Sequence, residues 1–420
     1  MNTNIYDIPP ELLVEILCRL PCNKFVVQCK CVAKSWCTLL SEPSFICRFL
    51  WIQSDKQIPI TRTIIDVDRQ DLLTTDACAR LRKSFSENPK ARVLATWNDL
   101  VLCCKDVDDH RDYYICNPLT FQLVTLPPIP RCHSFHPLGF ICEPYSNYKE
   151  EESDDSDQQK EERKVIKINS NYRCRVVRIL PPDNRKETCF KFNIQVFSSE
   201  TGEWRESVAP CPQGFEYYFQ SEVGYASNGM LYWNSYGDIL GLGPFMINNA
   251  TSTSSGIGTN GDDIVDHYQF HVIKFDQPPG MYRFAEVAIF GVYQGCLRLY
   301  DYDHSKEIPR LYVWELKKEE LEQMAVDGGG KLSLKHLTSY LLDPEMIHED
   351  AAMVSYLGFD PNDLDIIYVD VDDTIYKCNI CTGGWSEIDV KKFHGSPFQL
   401  VLPWWPTPVP RMIQRAHLLT

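Results

Sequence analysis

What the sequence lacks narrows its role before anything it contains. No apolar run approaches the ~18–20 residues needed to cross a bilayer, so no membrane partner is expected. The opening MNTNIYDIPPELL has no basic stretch and no uninterrupted apolar core, which is not the pattern of a secretory signal. Positive charge is short: 42 Lys and Arg face 57 Asp and Glu, a formal −15, and a chain this acidic makes a poor phosphate or nucleic-acid binder. The phosphate-cradling glycine loop, the dinucleotide fingerprint, the nucleophile elbow and the His-Glu-x-x-His helix are all missing. Catalysis is therefore not expected, and neither is a cofactor. The 18 cysteines could suggest a secreted disulfide scaffold, but without a signal segment they read as reduced thiols in a cytoplasmic or nuclear protein, most of them small buried apolar residues.

The candidate metal ligands are equally thin. Cys22, Cys29, Cys31 and Cys37 lie close together without paired Cys-x-x-Cys spacing, and helical periodicity already accounts for them. Cys103 and Cys104 are adjacent, so alternating strand faces should bury one of them. Cys378 and Cys381 form a single Cys-x-x-Cys in a strand–turn–strand context, with no second pair. Asp370, Asp372 and Asp373 open like a calcium loop but lack its glycine and distal glutamate, so they should flank a hairpin turn. His133 with His136, and His267 with His271, lack a third ligand nearby. No metal site is expected.

What is present is ample apolar surface: 44% hydrophobic and 12% aromatic residues over a length that implies two domains or one repeat architecture. Residues 1–50 differ from the rest, with five basic against four acidic side chains, a net +1 that would meet an acidic partner without repulsion. In residues 8–21, Ile8, Leu12, Ile16 and Leu20 recur every fourth position and Leu13 and Leu17 widen the stripe, which predicts an amphipathic helix. Pro9 and Pro10 suit its first turn and Pro21 its end. A second helix follows Asn23, carrying Phe25, Val26 and Cys29. A third carries Val32, Trp36, Leu39 and Leu40, and Pro43 opens a fourth through Phe45, Phe49 and Leu50. About forty residues bury apolar surface poorly on their own. Periodicity alone leaves two destinations open, a groove on another protein or the rest of this chain.

The residues themselves separate these. Ile8-Pro9, Leu12-Leu13, Glu15-Ile16-Leu17, Arg19-Leu20-Pro21, Cys29-Lys30-Cys31-Val32, Lys34-Ser35-Trp36, Leu39-Leu40 and Ser41-Glu42-Pro43-Ser44-Phe45 closely resemble the plant-type F-box family. Ile8 stands for the usual leucine, Glu42 for aspartate, and Cys22 and Phe25 where Val and Leu are commoner. The resemblance implies docking to a Skp-family adaptor, and through it to a cullin and a RING subunit. Carried over by position, the adaptor contacts would be Ile8, Pro9, Leu12, Ile16, Leu17, Leu20, Pro21, Val32 and Trp36. It further implies that Leu17→Asp with Trp36→Ala abolishes adaptor binding and leaves the rest of the chain folded.

Residues 51–90 read as a connecting segment with an extended stretch near Ile58–Val67. From 91 to 410, short Val, Ile, Tyr, Phe and Trp runs alternate with turn residues, as in antiparallel β-structure. A loose repeat recurs in two halves. One is strand, polar turn and aromatic-ended strand: Tyr114–Phe121, Val196–Trp204 and Tyr376–Trp385. The other is a small-residue turn entering a strand: Asn98–Leu102, Asn228–Trp233 and Gln294–Leu299. The interval from Trp204 to Trp385 fits about four periods of the ~40–50 residues of a propeller blade. These pieces resemble the F-box-associated domain related to kelch propellers, though kelch double glycines are missing. The expected fold is α+β by segregation: an N-terminal helical F-box, then a mainly antiparallel β-propeller of five to seven blades. Two insertions should be solvated loops, Lys149–Lys164 with eight acidic residues and the Thr/Ser/Gly/Asn-rich Asn248–Asp263. Trp404-Trp405 is the densest aromatic cluster, suited to closing the β-domain or to anchoring a client. The resemblance implies a receptor subunit of an SCF-type (Skp, cullin, F-box) ubiquitin ligase, not an enzyme. The alternatives are a propeller enzyme with a metal or radical site, and a regulator that binds the adaptor without ubiquitin transfer.

Overall fold

A computed structural model of the chain describes residues 8–21, 23–54, 60–64, 92–104, 112–117, 120, 122–130, 136–144, 172–182, 188–219, 223–235, 238–245, 268–275, 289–293, 296–303, 310–317, 319–320, 333–341, 354–360, 363, 365–371, 374–388, 398–402 and 406–410. Four helices come first: α1 (Pro10–Leu17), α2 (Asn23–Lys30), α3 (Lys34–Leu39) and α4 (Pro43–Ser54). Pro10 takes the first helical position of α1, where a missing N–H costs nothing. The helix stops at Leu17, short of Pro21, because the chain tightens: the Arg19 and Leu20 amides donate to the Ile16 and Leu17 carbonyls at 3.2 Å. Leu13, Leu17, Cys18, Val26, Trp36, Leu40, Phe45, Ile46 and Phe49 form one small core between the four helices. Glu15 pairs with Arg19, just past the end of its own helix, and with Arg48 on α4.

The named elements beyond α4 are all strands. β1 (Ile60–Ile64), the extended stretch expected in the connecting segment, pairs antiparallel with the last strand among the described residues, Phe398–Leu402, with Ile60 opposite Leu402. Between them, among the described residues, lie five four-stranded antiparallel meanders in chain order. The first comprises β2 (Arg92–Trp97), β3 (Leu100–Cys104), β4 (Tyr113–Asn117) and β5 (Gln122–Thr125). The second comprises β6 (Leu138–Pro144), β7 (Tyr172–Ile179), β8 (Thr188–Ser198) and β9 (Glu203–Glu216). The third comprises β10 (Val223–Ser227), β11 (Met230–Asn234), β12 (Asp238–Leu242) and β13 (Phe270–Phe275). The fourth comprises β14 (Ile289–Tyr293), β15 (Cys296–Asp303), β16 (Arg310–Leu316) and β17 (Ser333–Leu341). The fifth comprises β18 (Val354–Phe359), β19 (Ile366–Val371), β20 (Thr374–Asn379) and β21 (Gly384–Ile388), after which Phe398–Leu402 is β22. Two short parallel contacts, β6 to β10 and β13 to β17, join the middle three meanders into one 12-stranded sheet.

The first strands stand side by side: β2 by β6, β6 by β10, β10 by β14 and β14 by β18, with β22 against β2. The cores lie between successive meanders. One joins the first and second (Leu100, Leu102, Ile115, Phe140, Val176), one the second and third (Val177, Ile194, Trp233, Phe270), and one the third and fourth (Met230, Tyr232, Leu299, Trp314). Inner strands are thus covered on both faces, which explains near-continuous apolar runs such as LVLCC and MLYWN. It also buries Cys103 and Cys104 alike, where strict alternation would bury only one. A second departure concerns redox state. Cys142 and Cys174 are directly opposite on β6 and β7 and form a disulfide, so the cysteines are not all reduced.

Both halves of the repeat fall at fixed joints. Tyr114–Phe121, Val196–Trp204 and Tyr376–Trp385 each span the third-to-fourth strand turn, and the other half spans the first-to-second turn. Gly202 and Gly383 share φ 69°, and their amides donate to the Ser198 and Asn379 carbonyls at 2.8 Å in both turns. Asn98 and Asn228 take φ 50° and 48°, a left-handed conformation asparagine tolerates. The period itself differs from expectation. Trp204 follows the second meander's turn and Trp385 the fifth's, three meanders apart and not four, because long interstrand connections stretch the repeat.

Candidate functional site

α1 carries two apolar stripes, and only one faces inward. Leu13 and Leu17, one turn apart, are 7% and 4% exposed; Leu12 and Ile16, about 100° around the helix, are 57% and 53% exposed. Five aliphatic positions, Leu12, Leu13, Val14, Ile16 and Leu17, wrap too much of α1 for a four-helix core to cover. On the neighbouring segment Val32 is 50% exposed, and Phe25 and Val27 of α2 are 44% and 50% exposed. Pro9 and Pro21 are exposed, while Ile8 and Leu20 are half-buried against the helical core. Fully burying one Leu or Ile side chain stabilises by ~1.5–3 kcal/mol, so this set offers a partner several kcal/mol of unclaimed burial.

Two residues from the expected contact set stand elsewhere. Leu17 (4% exposed) and Trp36 (6% exposed) belong to the helical segment's own core, not to its exposed face. The stripe periodicity did not tell inside from outside, because adjacent apolar pairs satisfy it equally well on either face. Phe25 and Val27 were missed as surface residues for the complementary reason: α2 has a single fully buried apolar position, Val26, among its described side chains. Burial pushes the Cys18 thiol up to about 11, which leaves it inert beside this face.

The remaining candidates do not converge. Cys378 is buried, its thiol pushed up to about 12 by burial, while Cys381 sits exposed on the turn, its amide donating to Asn379 Oδ1 at 3.0 Å. Cys29 is half-buried and Cys31 and Cys37 exposed; Cys22 lies outside the described residues. His136 and His271 are both buried, whereas His133 and His267 lie outside the described residues. Val371 pairs with Thr374, giving the hairpin expected around Asp370, Asp372 and Asp373; the last two lie outside the described residues. So do Lys149–Lys164, Asn248–Asp263 and Trp404-Trp405. Among the described residues, no helix is long and apolar enough to cross a membrane.

Comparison with known proteins bears on this helical segment first. Residues 5–48 match the F-box domain family, so the chain carries an F-box domain at its N-terminal end. F-box protein At5g49610 of Arabidopsis thaliana is 27% identical over 240 residues, covering 54% of this chain and 57% of that protein. F-box only protein 8 of the same plant is 31% identical over 149 residues, covering 32% of this chain and 49% of that protein. The chain thus spans about half the length of these relatives. A solved structure, apo AztD from Citrobacter koseri, overlaps 73% of each chain at a TM-score of 0.32 and 10% identity, too loose a likeness to bear on fold or function.

Proposed function

We propose that this chain is the client-binding subunit of an SCF-type ubiquitin ligase, with a Skp-family adaptor seated on the helical segment and a client held by the β-body. Leu12, Ile16 and Val32 form the docking face, with Ile8, Pro9, Leu20 and Pro21 at its margin. Leu17 and Trp36 act from beneath, holding α1 and α3 in place. In this reading the five meanders are blades of a β-propeller, their first strands ringing the axis, and the β1–β22 pair fills the gap between the last blade and the first. The side-by-side first strands and the cores between successive meanders support that arrangement. The chain supplies proximity and no bond chemistry: holding a client beside the transfer machinery makes ubiquitin transfer effectively intramolecular. The setting is cytoplasmic or nuclear.

One observation carries the reading. The segment that matches the F-box keeps a folded core of its own and still leaves Leu12 and Ile16 more than half exposed. The test uses the full chain and a purified Skp-type adaptor. Leu12→Asp with Ile16→Asp lowers adaptor capture by roughly a hundredfold or more, since two exposed aliphatics become charges in an apolar groove, while helix content by circular dichroism is unchanged. Leu17→Asp with Trp36→Ala loses capture together with helix content. Full adaptor binding by the Leu12→Asp/Ile16→Asp chain would falsify the proposal.

A further inference from the structure

Beyond β22 the chain runs back onto the first meander. Thr407 is 4% exposed; its N–H donates to Asp99 Oδ2 at 2.8 Å, and its carbonyl accepts from Asn117 Nδ2 at 2.7 Å. Asn117 Nδ2 also donates to Asp99 Oδ2 at 2.7 Å. Both Asp99 and Asn117 are fully buried, and in sequence they lie 308 and 290 positions from Thr407. Two residues on, the Val409 amide donates to Gln122 Oε1 at 3.3 Å, and its side chain packs on the core shared by the first two meanders. Pro406, Pro408 and Pro410 fix φ along this stretch, so it loses little chain entropy on docking.

Asp99 and Asn117 together engage both the backbone donor and the backbone acceptor of a single residue, Thr407. A carboxylate sealed from water is costly unless donors reach it, and this one draws a donor from the far end of the chain. Only three residues separate Leu402 of β22 from Pro406, and β22 is paired along its length with β1. Five residues separate Ser54 of α4 from Ile60 of β1, a reach of at most about 20 Å.

We propose that residues 406–410 are a strap, pinned by Asp99 and Asn117, that holds β22 on β1, closes the β-body and thereby fixes the root of the helical segment. Only the consequence for docking geometry rests on the ligase reading; closure does not.

Hydrogen–deuterium exchange on the full chain tests this, because Thr407 and Val409 hold the only amides between 406 and 410. Both exchange slowly in the unaltered chain. Asp99→Leu frees them by roughly tenfold or more, as expected for loss of buried hydrogen bonds at Asp99, and raises exchange in β1 while β3 and β4 hold. Asp99→Asn, whose amide oxygen can accept the same two donors, keeps the protection. Free exchange at Thr407 and Val409 in the unaltered chain overturns the proposal, as does an undisturbed β1 once the strap is released. If Asp99→Leu fails to fold, Thr407→Pro removes the one N–H donor and β1 exchange decides. Adaptor capture on the same variants is unaffected, since it depends on Leu12 and Ile16; its failure in the unaltered chain sinks the ligase reading and leaves the strap standing.

Discussion

Gly224→Ala would drive a methyl group into the fully buried indole of Trp233. Gly224 on β10 and Gly139 on β6 are partners in the parallel contact between the second and third meanders, and the Trp233 indole lies across both. A Cβ at position 224 would stand 2.6 Å from Trp233 Cε2 and Nε1, and one at 139 would stand 2.7 Å from Cζ2. Favourable carbon contacts lie near 3.5–4.0 Å, so each overlap is about 1 Å. The indole has nowhere to go: Trp233 is fully buried, with the Phe270 ring 6.3 Å away in an edge-on arrangement. Overpacking costs ~1–3 kcal/mol, and a large rigid ring puts Gly224→Ala near the upper end. No left-handed conformation is involved at 224, so the loss is steric alone. Because both methyls press on one ring, the Gly139→Ala/Gly224→Ala pair costs less than the sum of the single changes. Trp233→Phe, though it leaves a cavity of its own, brings the further cost of Gly224→Ala below ~1 kcal/mol. Urea unfolding monitored by tryptophan fluorescence reads these as midpoint shifts at constant slope. A Gly224→Ala chain within ~0.5 kcal/mol of the unaltered one would refute the packing argument.

Three other perturbations follow from the same structure. Arg298 on β15 and Glu315 on β16 pair at 2.6 Å with side chains only 11% exposed, so Glu315→Ala strands a buried guanidinium and costs ~3–5 kcal/mol, while Arg298→Met with Glu315→Leu is near neutral; denaturant melts distinguish them. The Cys142–Cys174 bond closes a separation of 32 residues, so its reduction costs about 3–4 kcal/mol, and both sulfurs resist alkylation in denaturant until a reductant is added. Burial holds the His271 imidazole below its ordinary 6.5, so the folded state favours the neutral ring. That contribution is complete above about pH 6.5 and is lost as pH falls, because the unfolded chain binds the proton first; His271→Gln flattens the stability slope between pH 7 and 5.

The helical segment was legible because its residues form a contiguous string whose helices are set by local cues: Pro10 at a helix start, Pro43 at another, aliphatics four apart. Which aliphatics face outward was not legible, since Leu12/Ile16 and Leu13/Leu17 are indistinguishable by period. The meanders were legible at their turns, where Asn98, Asn228, Gly202 and Gly383 are required by backbone conformation and so leave a mark in sequence. Their number and spacing were not, because the chain between β6 and β7, or between β12 and β13, grows without disturbing the sheet it leaves. The strap was invisible for a different reason. Asp99 in a turn, Asn117 at the end of β4 and Thr407 past β22 carry no mark in sequence until the fold brings Thr407 to the other two from about 300 positions away.

The pairing of β1 with β22 also sets an order of events during synthesis. Ile60 must wait for Leu402, and at ~5–20 residues per second on the ribosome that delay is roughly 15 to 70 s. The four helices, whose partners all lie within the first 54 residues, are complete long before. For that interval the four helices stand folded beside a β-body whose β1 still lacks its pairing strand.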